Sequence, residues 1–123
     1  NKMGDRANFG FRDSKGETLY LYGHWAGSEM LHHLATAVAK AEPRWTDEAY
    51  ATRICISQLV AQEWESETGW GLYINHIGDN EHKVPVIDWS KKTFTLYEED
   101  LSKVVFSLPI DKFVDKYSRL VMV

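Results

Sequence analysis

Residues 7–23 constrain the fold most, because apolar and polar side chains alternate on both sides of a short turn. Residues 7–12 have the period of a half-buried strand, and residues 17–23 repeat that period. Between them stands Asp-Ser-Lys-Gly, which is turn chemistry, with Gly16 suited to a left-handed backbone. The sequence therefore predicts a β-hairpin at the start of the chain.

Two helical periodicities follow the hairpin. Ser28 is an N-cap candidate for a first helix, whose apolar residues recur at helical spacing up to Pro43. Thr46 is the candidate N-cap of a second helix, which is expected to run to about Trp64. On a helical wheel, Arg53 falls inside the apolar stripe of this second helix. That stripe consists of Ala49, Tyr50, Ile54, Ile56, Val60, Ala61 and Trp64.

Strand-like alternation returns after the helices. Pro85 favours an edge strand or a strand start, and Pro109 suits the entry to a short helix through Tyr117. Helices and strands thus come in blocks, in the order ββααβββ(β)α. This order predicts a single α+β domain over residues 1–123, with two main helices on one face of a mostly antiparallel sheet of five to six strands. The predicted later strands are residues 70–77, 84–89, 93–98 and 103–108.

Charge and cysteine content exclude several classes of protein. The net charge is −4 and the basic residues are scattered, so neither a long nucleic acid nor a membrane is expected as a partner. The one cysteine, Cys55, cannot form an internal disulfide, and no apolar run resembles a signal peptide or a membrane span. These features predict a cytoplasmic protein of about one ordinary domain.

The junction after the second strand is the first candidate site. Residues 19–27 run from a strand into a glycine-flanked loop that opens a helix, which places His24 and Trp25 beside free backbone N–H groups. Ligands are often held at such positions. For His24 a structural hydrogen bond is the alternative to chemistry, because the sequence offers no nucleophile that it would activate.

Arg53 is the most informative single residue of the sequence. An arginine on an apolar helix face costs several kcal/mol unless an acid or a phosphate meets it. One interpretation is a structural pair with Asp5, Asp79 or Glu81, or a side chain that reaches the surface. The other is a guanidinium that points into a pocket and holds an anionic ligand group.

Polar residues before the first strand form a second cluster of candidates. Asp5, Arg6 and Asn8 belong either to a solvated terminus, or to a group that converges on the loop after the second strand. Such a group is a ligand site or a buried polar network. Asp79 lies in a tight turn and faces a ligand only if that turn closes over Arg53.

Neither a metal nor another cofactor is expected. The histidines lack metal-binding spacing, and Cys55 lies between isoleucines, as an inert buried thiol would. The apolar tail, residues 119–123, is expected to pack back as a strand or to form part of a homodimer contact.

Five short segments stand out together. They read Gly-Asp-Arg-Ala-Asn at 4–8, Tyr-Leu-Tyr-Gly-His-Trp at 20–25, Arg-Trp-Thr-Asp at 44–47, Thr-Gly-Trp-Gly-Leu at 68–72 and Asp-Asn-Glu-His at 79–82. Over residues 4–89 the chain resembles a group of small uncharacterised proteins of bacteria and their phages. In that group the second segment more often reads Tyr-Thr-His-Trp-Gly-Gly, so Gly23 and Ala26 depart from it.

The resemblance implies a bacterial or phage setting and brings no established activity. It also implies that a set of polar and aromatic residues matters to whatever the group shares. That set is Asp5, Arg6, Asn8, His24, Trp25, Arg44, Trp45, Arg53 and Asp79.

Three functions remain open at this point. The first is a binding protein for a small anionic, nucleotide-like ligand. A phage could use such a protein to sequester a host signalling nucleotide. It rests on Arg53 and on the high aromatic content of 13%, because aromatic rings stack on bases. The second is a protein-binding phage inhibitor of a host enzyme. The third is a small hydrolase that uses His24 as acid or base.

Overall fold

The computed structural model describes residues 3–119, which form one sheet and three helices. The α+β fold and the order of elements agree with the prediction. Short 3-10 turns at Glu42–Arg44 and Ala61–Glu63 follow the first two helices. The strands are β1 (Ala7–Arg12), β2 (Thr18–Gly23), β3 (Trp70–Ile74), β4 (Val84–Asp88), β5 (Thr93–Tyr97) and β6 (Val104–Pro109). The helices are α1 (Met30–Lys40), α2 (Glu48–Val60) and α3 (Ile110–Tyr117).

The six strands lie in the order β3-β2-β1-β4-β5-β6, so that β3 and β6 are the two edges. Only β1 and β4 pair in parallel, and every other pair is antiparallel. Pro85 therefore lies in an interior strand and not at an edge. Its missing N–H is tolerated because the ladder between β4 and β1 begins one residue later, at Val86.

One face of the sheet carries the helices and the main core. Phe9 and Phe11 of β1 and Leu21 of β2 point to this face and are almost fully buried, in the same cluster as residues of all three helices. Trp89 anchors α2 on the sheet through a hydrogen bond from its Nε1 to Thr52 Oγ1 at 2.9 Å. A smaller cluster around Tyr20, Val84 and Val86 lies apart from this main core.

The helix ends differ in detail from the predicted ones. Ser28 is not the N-cap of α1, because Glu29 occupies that position with a left-handed φ of 56° and no side-chain cap. In α2 the cap is Asp47 and not Thr46, and its carboxylate accepts from the Tyr50 N–H. The helix then ends at Val60, short of Trp64.

Two further expectations concern the C-terminal tail and membrane-spanning segments. The expected packing of the apolar tail lies outside the described residues, apart from Arg119, whose guanidinium meets Glu29 at 2.7 Å. Between residues 3 and 119, no helix is both long and apolar enough to cross a membrane.

Candidate functional site

Arg53 does not lie on the buried face of α2, which corrects the helical-wheel prediction. The buried residues of this helix are Ala51, Cys55, Ile56 and Val60, and Arg53 is exposed. Its guanidinium makes one long hydrogen bond, 3.4 Å, to Ser57 Oγ. Within the described part of the chain no acid lies within ion-pair distance of it. The cost of a buried charge that motivated the pairing hypothesis therefore does not arise.

Arg53 lines a concave surface beside α2, which we call the apolar groove. Its cavity volume is about 530 Å³, within the usual range for ligand sites. The groove lies between α2 and the edge strand β3. Its lining residues are Phe11, Asp13, Glu17, Thr18, Leu19, Glu48, Ala49, Thr52, Arg53, Ile56, Trp64, Leu72 and Ile74.

The walls of the apolar groove expose large hydrophobic side chains. Trp64 is 51% exposed, Leu72 54% and Ile74 68%. Leu72 and Ile74 stand two residues apart on β3, opposite Leu21 and Leu19 of β2, so they share the helix-side face of the sheet. An unpaired strand edge thus lies beside an open apolar surface.

Charges in the apolar groove are mostly negative. Arg53 is its single Lys or Arg, against Asp13, Glu17 and Glu48. Two of these carboxylates already accept hydrogen bonds. Asp13 Oδ1 caps the hairpin turn by accepting from the Lys15 and Glu17 N–H groups, and Glu48 accepts from the Ser14 N–H and hydroxyl.

A second concave surface, the tryptophan pocket, lies at the other end of the hairpin. Its volume is about 230 Å³, and Trp25, 63% exposed, and Trp70 both line it. The remaining lining residues are Phe9, Ala26, Ser28, His33, Leu59, Glu63 and Gly69.

His24 holds the loop that carries Trp25. Its Nε2 lies 2.8 Å from the Met3 carbonyl oxygen and its Nδ1 lies 3.0 Å from the Tyr22 hydroxyl. A carbonyl only accepts, so Nε2 carries the proton and Nδ1 accepts from Tyr22. The His24 ring also contacts the Trp25 ring edge-on at 5.1 Å. Both ring nitrogens of His24 are therefore hydrogen-bonded within the protein. This is the structural hydrogen bond that was the alternative to a chemical role.

Asp5 meets a histidine that sequence reasoning did not single out. Its Oδ1 lies 2.6 Å from His82 Nε2, and its main chain bonds to His24 and Gly27 of the loop after β2. The segment before β1 therefore contacts the loop after β2, as predicted by the hypothesis that these polar residues converge on that loop. Gly27 is required there, because a Cβ would overlap both Asp5 and His82.

Arg6 and Asn8 bind the turn between β3 and β4. Arg6 Nε lies 3.2 Å from Glu81 Oε1, and its Nη1 lies 4.0 Å from Asp79 Oδ2. Asn8 is fully buried, donates from Nδ2 to the Asp79 carbonyl, and accepts at Oδ1 from the Gly78 N–H. Asp79 and Glu81 therefore pair with Arg6 rather than with Arg53, and the turn does not close over Arg53.

The sequence-predicted residues thus fall into three places. Asp5, Arg6, Asn8 and Asp79 form a polar network at the start of β1. His24 and Trp25 belong to the tryptophan pocket. Arg53 stands alone in the apolar groove, beside the opposite end of the hairpin.

No protein-family model, no curated protein and no solved structure matches this chain. Its function is therefore inferred from its own residues.

The remaining residues that the resemblance singles out, Arg44 and Trp45, make contacts within the fold. The Arg44 guanidinium lies over the Tyr50 ring at 5.4 Å, and Trp45 donates from Nε1 to the Val38 carbonyl at 2.8 Å. Cys55 is fully buried, and this burial raises the pKa of its thiol. From residue 3 to residue 119, no cluster of three or more His, Cys, Asp or Glu side chains could hold a metal ion.

Sequence reasoning missed the residues that shape the two concave surfaces. Leu72 and Ile74 fall within the predicted strand 70–77, but nothing local shows that this strand is an edge. The second helix is predicted to run to about Trp64, whereas it ends at Val60, before the left-handed residue Ala61 with φ 55°, and Glu63 and Trp64 beyond it are exposed. A non-glycine residue in that conformation leaves no signal in the sequence.

Proposed function

We propose that the protein is a protein-binding module, and that its apolar groove takes an extended apolar segment of a partner protein. In this arrangement the segment pairs with the outer side of β3 as an added strand. Its alternate side chains then enter the groove next to Leu72 and Ile74. This mode of recognition combines main-chain hydrogen bonds with side-chain pockets.

The observation that carries the proposal is the coincidence of a free strand edge with an open apolar surface. In the part of the chain that the structure describes, β3 pairs only with β2. Monomeric proteins usually blunt such edges with charges or proline, because an exposed apolar edge invites pairing. The sequence of β3, Trp-Gly-Leu-Tyr-Ile, has neither device.

The nucleotide-like ligand and the hydrolase both remain predictions, and the geometry supports them less. An anionic ligand in the apolar groove would meet one arginine and three carboxylates, at a net cost in Coulomb energy. A hydrolase built on His24 would need a free ring nitrogen, and both of its nitrogens are hydrogen-bonded. A cytoplasmic, bacterial or phage setting, and a host enzyme as the partner, also remain predictions.

A selection from a library of random peptides tests the proposal. Wild-type protein and an Ile74→Asp variant are used in parallel, and the recovered peptides are titrated by fluorescence anisotropy. Val105→Asp is the matched control, because Val105 is an exposed valine on the opposite edge strand β6.

The proposal predicts peptides with alternating apolar residues that bind wild type and Val105→Asp equally. Ile74→Asp should weaken them at least about tenfold, as expected for a charge placed in an apolar contact. If no peptide is recovered, or if the recovered peptides bind Ile74→Asp as well as wild type, the proposal is wrong. A thermal-shift screen with nucleotides, run with Arg53→Ala, tests the anionic-ligand prediction separately.

A further inference from the structure

We propose that the tryptophan pocket is a second binding site, and that it takes a small organic cation with an alkylated ammonium group. This site does not depend on the proposed function, because the two concave surfaces share no lining residue.

The first support is the pair of indole rings. Trp25 is 63% exposed on a loop, and no hydrogen bond of its indole N–H occurs within residues 3–119. Trp70 lines the same cavity and is partly buried. The face of an indole carries negative electrostatic potential and attracts cations more strongly than any other side-chain ring. Two tryptophans around one small cavity therefore suit an ammonium group with apolar substituents.

The second support is a carboxylate in the same cavity. Glu63 Oε1 accepts from Trp70 Nε1 at 2.9 Å, which fixes this carboxylate beside the indole. No other hydrogen bond reaches the Glu63 carboxylate in the described residues, so Oε2 can face a cation. The lining contains neither lysine nor arginine, whereas the shallow surface beyond His33 has Lys40 and Arg119. Those two cations are already bound to Gln58 and Glu29.

Size narrows the class of ligand. A volume of about 230 Å³ is smaller than the roughly 300–1,000 Å³ of sites for drug-sized molecules. It suits a group of the size of choline.

The pocket is held in place before any ligand arrives. The main-chain N–H of His24 donates to the Gly69 carbonyl at 2.8 Å. This bond joins the loop of Trp25 to the segment before Trp70. At Gly23, a Cβ would overlap the Ala26 side chain and lie 2.7 Å from the Trp70 ring. The missing side chain therefore lets Trp70 pack against the end of β2. Because the main chain around the pocket is already fixed, ligand binding loses little conformational entropy there.

The test is an NMR titration with choline chloride and with tetramethylammonium chloride, against sodium chloride at equal ionic strength. The indole N–H signals of Trp25 and Trp70 are assigned from Trp→Phe variants. Both signals should shift and saturate, while the signal of Trp64 in the apolar groove should not. The neutral isostere 3,3-dimethyl-1-butanol should bind at least about tenfold more weakly than choline, in line with loss of a desolvated cation–π contact.

Variants separate this site from an unspecific one. Trp25→Ala and Glu63→Gln should each weaken choline binding, whereas Trp64→Ala and Glu67→Gln should leave it unchanged. Trp25 and Glu63 are exposed, so both variants are expected to fold, and unshifted signals of the core confirm it. Absence of saturable shifts in wild type overturns the proposal. So does equal binding of the neutral isostere, or binding that survives both Trp25→Ala and Glu63→Gln.

Discussion

Asp5 Oδ1 lies 2.6 Å from His82 Nε2, and this contact joins two residues that are 77 positions apart in the chain. It fixes the segment before β1 against the segment before β4. The Gly27 N–H donates to the Asp5 carbonyl at 2.9 Å, so the loop after β2 is tied to the same point. Three segments that local patterns treat separately therefore meet at one pair of side chains.

Asp5→Asn and His82→Ala should each lower the free energy of unfolding by about 1–2 kcal/mol. Asp5→Asn removes the negative charge from this partly buried bond, and His82→Ala removes its imidazole. The double variant should lose less than the sum of the two. Guanidinium unfolding measures all three variants. Glu67→Gln, at an exposed carboxylate, is the control and should not change stability. Fully additive losses would show that the two side chains do not interact.

Asn8→Ala should cost about 2 kcal/mol or more. The Gly78 N–H and the Asp79 carbonyl would both lose a partner next to a fully buried site. Hydrogen exchange should become faster in the turn between β3 and β4. The amides of β5 and β6 should keep their rates and act as an internal control. An unchanged turn would contradict the role assigned to Asn8.

Arg53→Ala should change the free energy of unfolding by less than about 0.5 kcal/mol, since the side chain is exposed and makes one long hydrogen bond. Ile56→Ala is the comparison on the same helix. It should cost about 2–4 kcal/mol because Ile56 is 4% exposed. Thermal and chemical unfolding of both variants distinguish the surface position of Arg53 from a buried one. A large loss for Arg53→Ala would restore the structural pairing.

The fold could be predicted further than the site. Alternation at 7–12 and at 70–77 is a local signal, and both strands begin where it places them, although β3 ends at Ile74, short of the predicted end. The exposed face of α2 could not be read in this way. Apolar residues such as Ile54 and Leu59 occur around much of that helix, so periodicity alone does not show which side is buried. Packing of α2 against Trp89 and the sheet decides it.

The prediction of the candidate site was incomplete for a related reason. The sequence placed Asp5, Arg6 and Asn8 together correctly, since they are neighbours in the chain. It did not identify Glu81 and His82 as their partners, because the parallel pairing of β1 with β4 brings these segments together over more than 70 residues. Strand order is a long-range property, and it decides which residues meet.

Cys55 should react with a thiol reagent far more slowly in the native protein than in the unfolded chain. Burial raises the pKa of this thiol, so the thiolate fraction stays low even at pH values where a free cysteine ionises. The native rate should be lower by more than about two orders of magnitude, limited by opening of the core. Absorbance after addition of a disulfide reagent, with and without guanidinium, measures both rates. Equal rates would contradict the burial of α2 at this position.

Gly23→Ala should disturb the tryptophan pocket. The added Cβ would overlap the Ala26 side chain and stand 2.7 Å from the Trp70 ring, and such overpacking costs about 1–3 kcal/mol. Gly71→Ala is the matched control in the neighbouring strand, because its nearest contact would be an ordinary 3.7 Å. Melting temperature and near-ultraviolet circular dichroism compare the two. An unaltered tryptophan signal in Gly23→Ala would show that Trp70 is not held in this way.

The apolar groove beside β3 is the central claim, and hydrogen exchange of the complex with a selected peptide tests it most directly. An added strand would bond to the outward-facing amides of Trp70–Ile74. We predict slower exchange in this strand when peptide is bound, with β6 unchanged. Unchanged exchange in β3 at saturating peptide, or protection confined to another part of the chain, would contradict the account.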